Sequence, residues 1–193
     1  MITIIDYGTG NLQSVMNAFR RLGAEYELTA DPVRIRAAGK VLLPGVGAAG
    51  PAMDKLRAAG LIDTVKSLTQ PVLGICLGMQ LMCSWSEEGD VECLGLFDNA
   101  VRRFDMPGLK VPHMGWNGIH DLRTSLYKGV DENSCVYFVH SYAVEMNDNT
   151  IATCDYGIPF SASLNKGNFF GAQFHPEKSG GIGERILKNF LEL

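Results

Sequence analysis

Pro71-Val-Leu-Gly-Ile-Cys-Leu-Gly-Met-Gln80 is an apolar run that gives way to a helix-forming stretch, with a thiol between two glycines at the break. Pro71 to Ile75 has the length and composition of a buried strand, and the residues after Cys76 have those of a helix start. A G-x-nucleophile-x-G pattern follows from the sterics of such a turn. Glycines two residues to either side remove side chains that would collide where the chain reverses, so Cys76 projects above the sheet edge. There the sulfur faces the unpaired N–H groups that open the helix, whose partial positive charge favours thiolate over thiol and can receive an oxyanion. Glycine is also common at ordinary strand ends, so the rest of the chain has to decide what this cysteine does.

Working outward, the first half alternates between two periodicities. Ile2 to Ile5 is a short apolar run stopped by Asp6-Tyr-Gly-Thr-Gly10, after which Leu12, Val15, Met16, Phe19 and Leu22 follow helical spacing. Tyr26 to Thr29 reads as a second strand, and Asp31-Pro32 as an N-cap with proline at the first helical position. Val41 to Leu43 is a buried strand ending in Pro44-Gly-Val-Gly47, and Met53 to Leu68 is helical with a break at Gly60. Strands separated by helices predict right-handed crossovers and a parallel sheet. In the second half, Cys135 to Val139, Thr150 to Cys154 and Asn168 to Phe174 read as strands that follow one another more directly. Phe104 to Asn117 is rich in proline and glycine, and a closing helix is expected from Gly183 to Leu191. The expected fold is α/β, a mostly parallel central sheet flanked by helices with antiparallel strands added, in a single domain over residues 1–193.

Composition narrows the function. Lys+Arg of 17 against Asp+Glu of 21 gives a formal charge of −4, and no basic run tracks a phosphate backbone, which argues against nucleic acid. Met1 to Asp6 lacks the basic start and small-residue cleavage site of a signal peptide, and no apolar stretch reaches membrane-spanning length, so a cytoplasmic protein is expected. The five cysteines include no C-x-x-C pair, so neither a disulfide framework nor a zinc site is suggested and no metal or cofactor is expected. Cys83, Cys93, Cys135 and Cys154 read as small buried hydrophobes.

A cysteine nucleophile needs a base and a group that orients the base. Among the four histidines, His175 stands in Gly171-Ala-Gln-Phe-His-Pro-Glu177, just past an expected strand, with a carboxylate two residues on. That strand would deliver His175 to the carboxyl edge where Cys76 stands, and Glu177 could hold one ring nitrogen while the other faces the sulfur. His113, His120 and His140 have no comparable carboxylate spacing and read as structural or interfacial. The two glycines of Pro44-Gly-Val-Gly47 give a backbone able to turn an N–H toward the site.

These three segments together resemble the class I glutamine amidotransferases, over nearly the whole chain. Within that class, Asp6-Tyr-Gly-Thr-Gly-Asn-Leu-Gln-Ser-Val15, Leu43-Pro-Gly-Val-Gly47, Val111-Pro-His-Met-Gly-Trp-Asn117, Tyr137-Phe-Val-His-Ser-Tyr142 and His175-Pro-Glu-Lys-Ser179 are similar to the glutaminase subunits of imidazole glycerol phosphate synthase, a histidine-biosynthetic enzyme. The resemblance implies Cys76 as nucleophile, His175 as general base and acid, and Glu177 as the orienting carboxylate. It implies that Gln80 and Glu88 contact the α-amino and carboxylate end of L-glutamine, helped by backbone from Gly47 and from Ser141-Tyr142. Leu77 N–H and an N–H within Gly45, Val46 and Gly47 would form the oxyanion hole. The implied partner is a (β/α)₈-barrel synthase that receives the ammonia, with Asn11, Trp116, Tyr137 and Lys178 as interface candidates. Weak glutaminase activity until that partner binds its ligand is also implied, through a Pro44 to Gly47 backbone that rests with no donor aimed at the oxyanion. Ala48-Ala-Gly-Pro51 lacks an aromatic residue associated with many relatives at that place.

Three other readings stand beside this one. A glutaminase subunit of another pathway would share the triad but differ in the Val111 to Asn117 and Tyr137 to Tyr142 segments. A stand-alone γ-glutamyl cysteine hydrolase would be fully active without a partner. A non-catalytic flavodoxin-like module would need no aligned triad.

Overall fold

A computed structural model describes residues 1–8 and 12–193. Its first half runs β1 (Ile2–Ile5), α1 (Leu12–Arg21), β2 (Tyr26–Thr29), α2 (Pro32–Ala37), β3 (Lys40–Leu43), α3 (Ala49–Ala58), α4 (Ile62–Lys66), β4 (Val72–Ile75) and α5 (Leu77–Leu81). Asp31 caps α2 by accepting from Val33 N at 2.8 Å, with Pro32 in the first turn. These strands pair in parallel, β2–β1–β3–β4, as short apolar runs joined by helical crossovers must.

The second half continues with β5 (Trp85–Ser86), β6 (Val91–Glu92), β7 (Ala100–Arg103), β8 (His113–Ile119), β9 (Ser134–His140), β10 (Tyr142–Val144), β11 (Thr150–Tyr156), β12 (Ile158–Lys166), β13 (Phe169–Ala172) and α6 (Gly180–Glu192). Strand β13 joins β4 in parallel, and β12 and β11 extend the same sheet antiparallel, giving seven strands among the described residues in the order β11-β12-β13-β4-β3-β1-β2. Two smaller sheets lie outside it: β10-β7-β5-β6 and the antiparallel pair β8–β9. The fold is the flavodoxin-like α/β arrangement, with more antiparallel structure than the sequence disclosed. Strand β8 occupies part of the proline- and glycine-rich stretch, and β12 had no counterpart among the expected strands.

Both faces of the inner parallel strands β1, β3 and β4 are buried, which is why they read as continuous apolar runs, whereas the edge strand β2 is only half-buried. Ile2, Ile4, Leu42 and Leu73 face Val15, Phe19, Ile186 and Phe190 of α1 and α6. Ile5, Val41, Leu43 and Val72 face Met53, Leu56 and Val65 of α3 and α4. The period-two alternation of a strand thus serves two helical layers. Cysteine burial departs from expectation at two positions: Cys135 is exposed and Cys93 only partly buried, whereas Cys83 and Cys154 are buried. Cys135 takes an outward position in the alternation of β9, between the inward Val136 and the turn. No helix among the described residues is long and apolar enough to cross a membrane.

Candidate active site

The turn between β4 and α5 has the shape its glycines suggest. Cys76 adopts φ 53 and ψ −111, a conformation that costs a residue other than glycine about 1–3 kcal/mol and persists only where the surroundings enforce it. A Cβ on Gly74 would come within 2.8 Å of the Gly78 backbone, and one on Gly78 would overlap the Leu43 carbonyl oxygen. The turn is therefore closed on both sides by glycines that nothing larger can replace without movement. Cys76 N donates to Ala172 O at 2.7 Å, tying the elbow to β13.

Strand β13 pairs with β4 in parallel, Ala172 opposite Ile75, so both chains leave the sheet at the same edge. Three residues later His175 is held through its backbone: its N–H donates to Tyr137 O at 2.9 Å and its carbonyl accepts from Ser179 Oγ at 2.6 Å. Its ring Nδ1 meets Glu177 Oε1 at 2.7 Å, both side chains being almost fully buried. The ring and the Cys76 sulfur line the same cleft and interact electrostatically. Burial alone would discharge this imidazole, but its interactions with Cys76 and Glu177 outweigh it and push His175 up to about 10.

The Pro44 to Gly47 segment packs directly on the start of α5, since a Cβ on Gly45 would lie 2.5 Å from Gly78 N and 2.8 Å from Leu77 Cβ. Tyr7 Oη donates to Pro44 O at 2.7 Å and so fixes one peptide of the loop. Gly47 takes φ +92, open to glycine at little cost. Val46, Gly47 and Leu77 line the same cleft as Cys76, so the two segments expected to supply oxyanion donors border one cavity with the sulfur.

That cleft has a volume of about 320 Å³, small for a ligand site and suited to a single amino acid. Gln80, Glu88, Ser141 and Tyr142 line it, together with His175 and Lys178. Glu88 Oε2 accepts from Ala49 N at 3.1 Å, holding the carboxylate at the first turn of α3. Gln80 donates both amide protons to protein, to Tyr142 O at 3.0 Å and Gln173 Oε1 at 2.9 Å. What it can offer a substrate is its oxygen, an acceptor suited to an ammonium group.

Trp116 is 58% exposed and stands edge-on to Tyr137, with ring centroids 6.1 Å apart, on the β8–β9 hairpin beside the cleft. Asn11, the other interface candidate, lies outside the described residues. Sequence reasoning passed over His140, which lines the cleft, and Gln173, wholly buried with Nε2 3.8 Å from Cys76 Sγ. It also passed over the partners of His120, whose ring nitrogens meet Asp121 at 3.1 Å and Asp155 at 3.2 Å. The first of those was adjacent in sequence. The second comes from a strand whose register was not legible.

Residues 3–193 match the family model for glutamine amidotransferase class-I. The chain is 54% identical over 194 residues to the imidazole glycerol phosphate synthase subunit HisH of Bacteroides fragilis, covering 100% of this chain and 99% of that one. It is 52% identical over 192 residues to the subunit of the same name from Haemophilus influenzae, with 99% and 96% coverage. Its fold is similar to that of a glutamine amidotransferase from Thermotoga maritima, with TM-score 0.66 at 18% identity over 99% of this chain and 80% of that one. PurLQS from the same organism gives a TM-score of 0.71 at 17% identity, over 99% and 97%.

Proposed function

The chain belongs to the class-I glutamine amidotransferase family, and on that premise we propose that Cys76, His175 and Glu177 are the groups with which it hydrolyses L-glutamine. It is a glutaminase subunit of imidazole glycerol phosphate synthase, acting in histidine biosynthesis. The single observation that carries the site reading is the buried His175–Glu177 pair opening onto the same cleft as Cys76.

The chemistry follows from that arrangement. The Cys76 thiolate attacks the carboxamide carbon, and the carbonyl oxygen becomes an oxyanion, received by the Leu77 N–H and a donor from the Gly45 to Gly47 segment. His175, charged at neutral pH, gives its proton to the amide nitrogen; the C–N bond breaks and ammonia leaves. Water then attacks the glutamyl thioester while His175 takes one of its protons, the C–S bond breaks, and glutamate departs. Glu177 keeps the ring in one orientation and balances its charge through both halves. Gln80, Glu88 and the backbone at Gly47, Ser141 and Tyr142 grip the amino-acid end of glutamine.

Ammonia released into neutral water becomes ammonium and is lost as a nucleophile, so the product calls for direct transfer to a second site. The proposed recipient is a (β/α)₈-barrel synthase, seated over the cleft mouth against Trp116, Tyr137 and Lys178. There the ammonia completes imidazole glycerol phosphate and an aminoimidazole carboxamide ribotide. The 193 residues act as one amidotransferase domain in the cytoplasm. Glutamate release should be slow for the chain alone and rise strongly when the barrel synthase and its nucleotide substrate are added. Equal rates with and without them would contradict the subunit reading and favour a free-standing hydrolase.

A further inference from the structure

Beneath the cleft floor lies a run of buried polar groups whose directions are fixed on both sides by the Tyr142 carbonyl, which can only accept. His140 Nδ1 stands 2.8 Å from Tyr142 O; a carbonyl can only accept, so Nδ1 carries the proton. In a neutral ring that leaves a lone pair on Nε2, which lies 3.0 Å from His113 Nδ1. His113 Nδ1 is then the donor, and its own Nε2 accepts from Asn117 Nδ2 at 3.3 Å. Burial keeps both rings uncharged, lowering His113 to about 4 and His140 to about 3. Tyr142 O takes a second bond from Gln80 Nε2 at 3.0 Å, and the other Gln80 proton goes to Gln173 Oε1 at 2.9 Å. With its oxygen committed, Gln173 has only Nε2 to turn toward Cys76 Sγ, 3.8 Å away.

We propose that Gln173 is a further catalytic residue, a carboxamide donor that stabilises the Cys76 thiolate, and that Gln80, itself turned by the Tyr142 carbonyl, is the positioning residue that holds its amide in the donating orientation. The inference rests on Cys76 being the nucleophile. A donor at a sulfur favours the charged over the neutral form. Turning the Gln173 amide over would set its nitrogen against the Gln80 nitrogen and its oxygen against the sulfur, so the wrong orientation loses two bonds at once. Val139 O lies 3.9 Å from the same sulfur and suits the thiol. Gln173 Nε2 is the donor opposed to it. Gln173 is 0% exposed, which restricts it to the sulfur and its protein partners.

The test reads the sulfur directly. Iodoacetamide is added to the isolated chain, and carboxamidomethylation of the Cys76 peptide is followed by mass spectrometry, which separates it from the exposed Cys135. Gln173→Met keeps the volume and removes the donor; it should slow Cys76 alkylation about tenfold, the equivalent of one pKa unit. Gln173→Glu keeps the acceptor for Gln80 but sets a second oxygen at the sulfur, and should slow alkylation further. In glutamine hydrolysis by the complex with the synthase, both variants should lower kcat by a similar factor with KM within about twofold.

Wild-type alkylation rates in folded Gln173→Met and Gln173→Glu would overturn the proposal. So would a loss confined to thermal stability. The alkylation assay involves neither glutamine nor partner, so it separates this inference from the functional reading: glutamate release by Cys76→Ala would defeat that reading whatever Gln173 does.

Discussion

Two buried histidines line the cleft with Cys76 and end in opposite charge states. His175 is pushed up to about 10, while His140 is pulled down to about 3. Burial disfavours the cation at both, so burial does not explain the difference. His175 meets a carboxylate and an ionisable sulfur. His140 meets a carbonyl, a second histidine and the aromatic rings of Phe104, Phe138 and Phe160. One site is built to move a proton and the other to hold two protons in fixed places. What a histidine does here is decided by the groups its two nitrogens meet.

Substituting the proton-moving side should bring the largest loss. His175→Asn removes both the acid that expels ammonia and the base that activates water. Glutamate release should fall by at least about 10³-fold, measured by coupled assay with the synthase present. Glu177→Gln comes next, with a fall of about 10²–10⁴-fold, since the ring loses its charge partner and its fixed orientation. The same variant should move the alkaline limb of the pH–rate profile down from about 10, because burial then acts on His175 with less opposition. An unmoved limb would mean that Glu177 does not set the charge of the ring.

Stability should distinguish the two sites by sign. An unfolded histidine titrates near 6.5. His113 and His140 lie below that value when folded, so between about 6.5 and about 4 the unfolded chain binds protons that the folded chain refuses. Their contribution is complete above that window and is lost as pH falls through it. His175 lies above it, so its contribution is complete below about 6.5 and is lost as pH rises toward about 10. Urea unfolding across pH should show a shallower acid decline in the double variant His113→Phe/His140→Phe than in the parent. Identical slopes would contradict the neutral pair. Cys83→Ala should have the smallest effect: activity unchanged within about twofold, and a stability loss of about 1 kcal/mol from a wholly buried site.

The unequal legibility of these two sites in the sequence has a physical cause. His175 and Glu177 are two residues apart, and Cys76 stands between glycines that a sharp turn demands, so local spacing carried the proton-moving side. The parallel strands β1, β3 and β4 were equally plain, because apolar runs with helical connections admit few topologies. His113 and His140 are 27 residues apart and meet only because β8 pairs with β9 in one register. Gly115 and Gly118 within β8, with Pro112 just before it, masked the strand that brings them together. Gln173 reads as an ordinary polar residue at a strand end. Its role depends on Gln80, 93 residues away, which no local pattern reports.

The central claim is that glutamine hydrolysis passes through a covalent bond to Cys76, and rapid-quench mass spectrometry tests it most directly. The complex is mixed with glutamine, stopped in acid and digested, and the peptide bearing Cys76 is weighed. A glutamyl adduct should form on that peptide within the first turnover and be absent from Cys76→Ala, which should release no glutamate. Glutamate release by Cys76→Ala, with no adduct on the parent chain, would contradict the account.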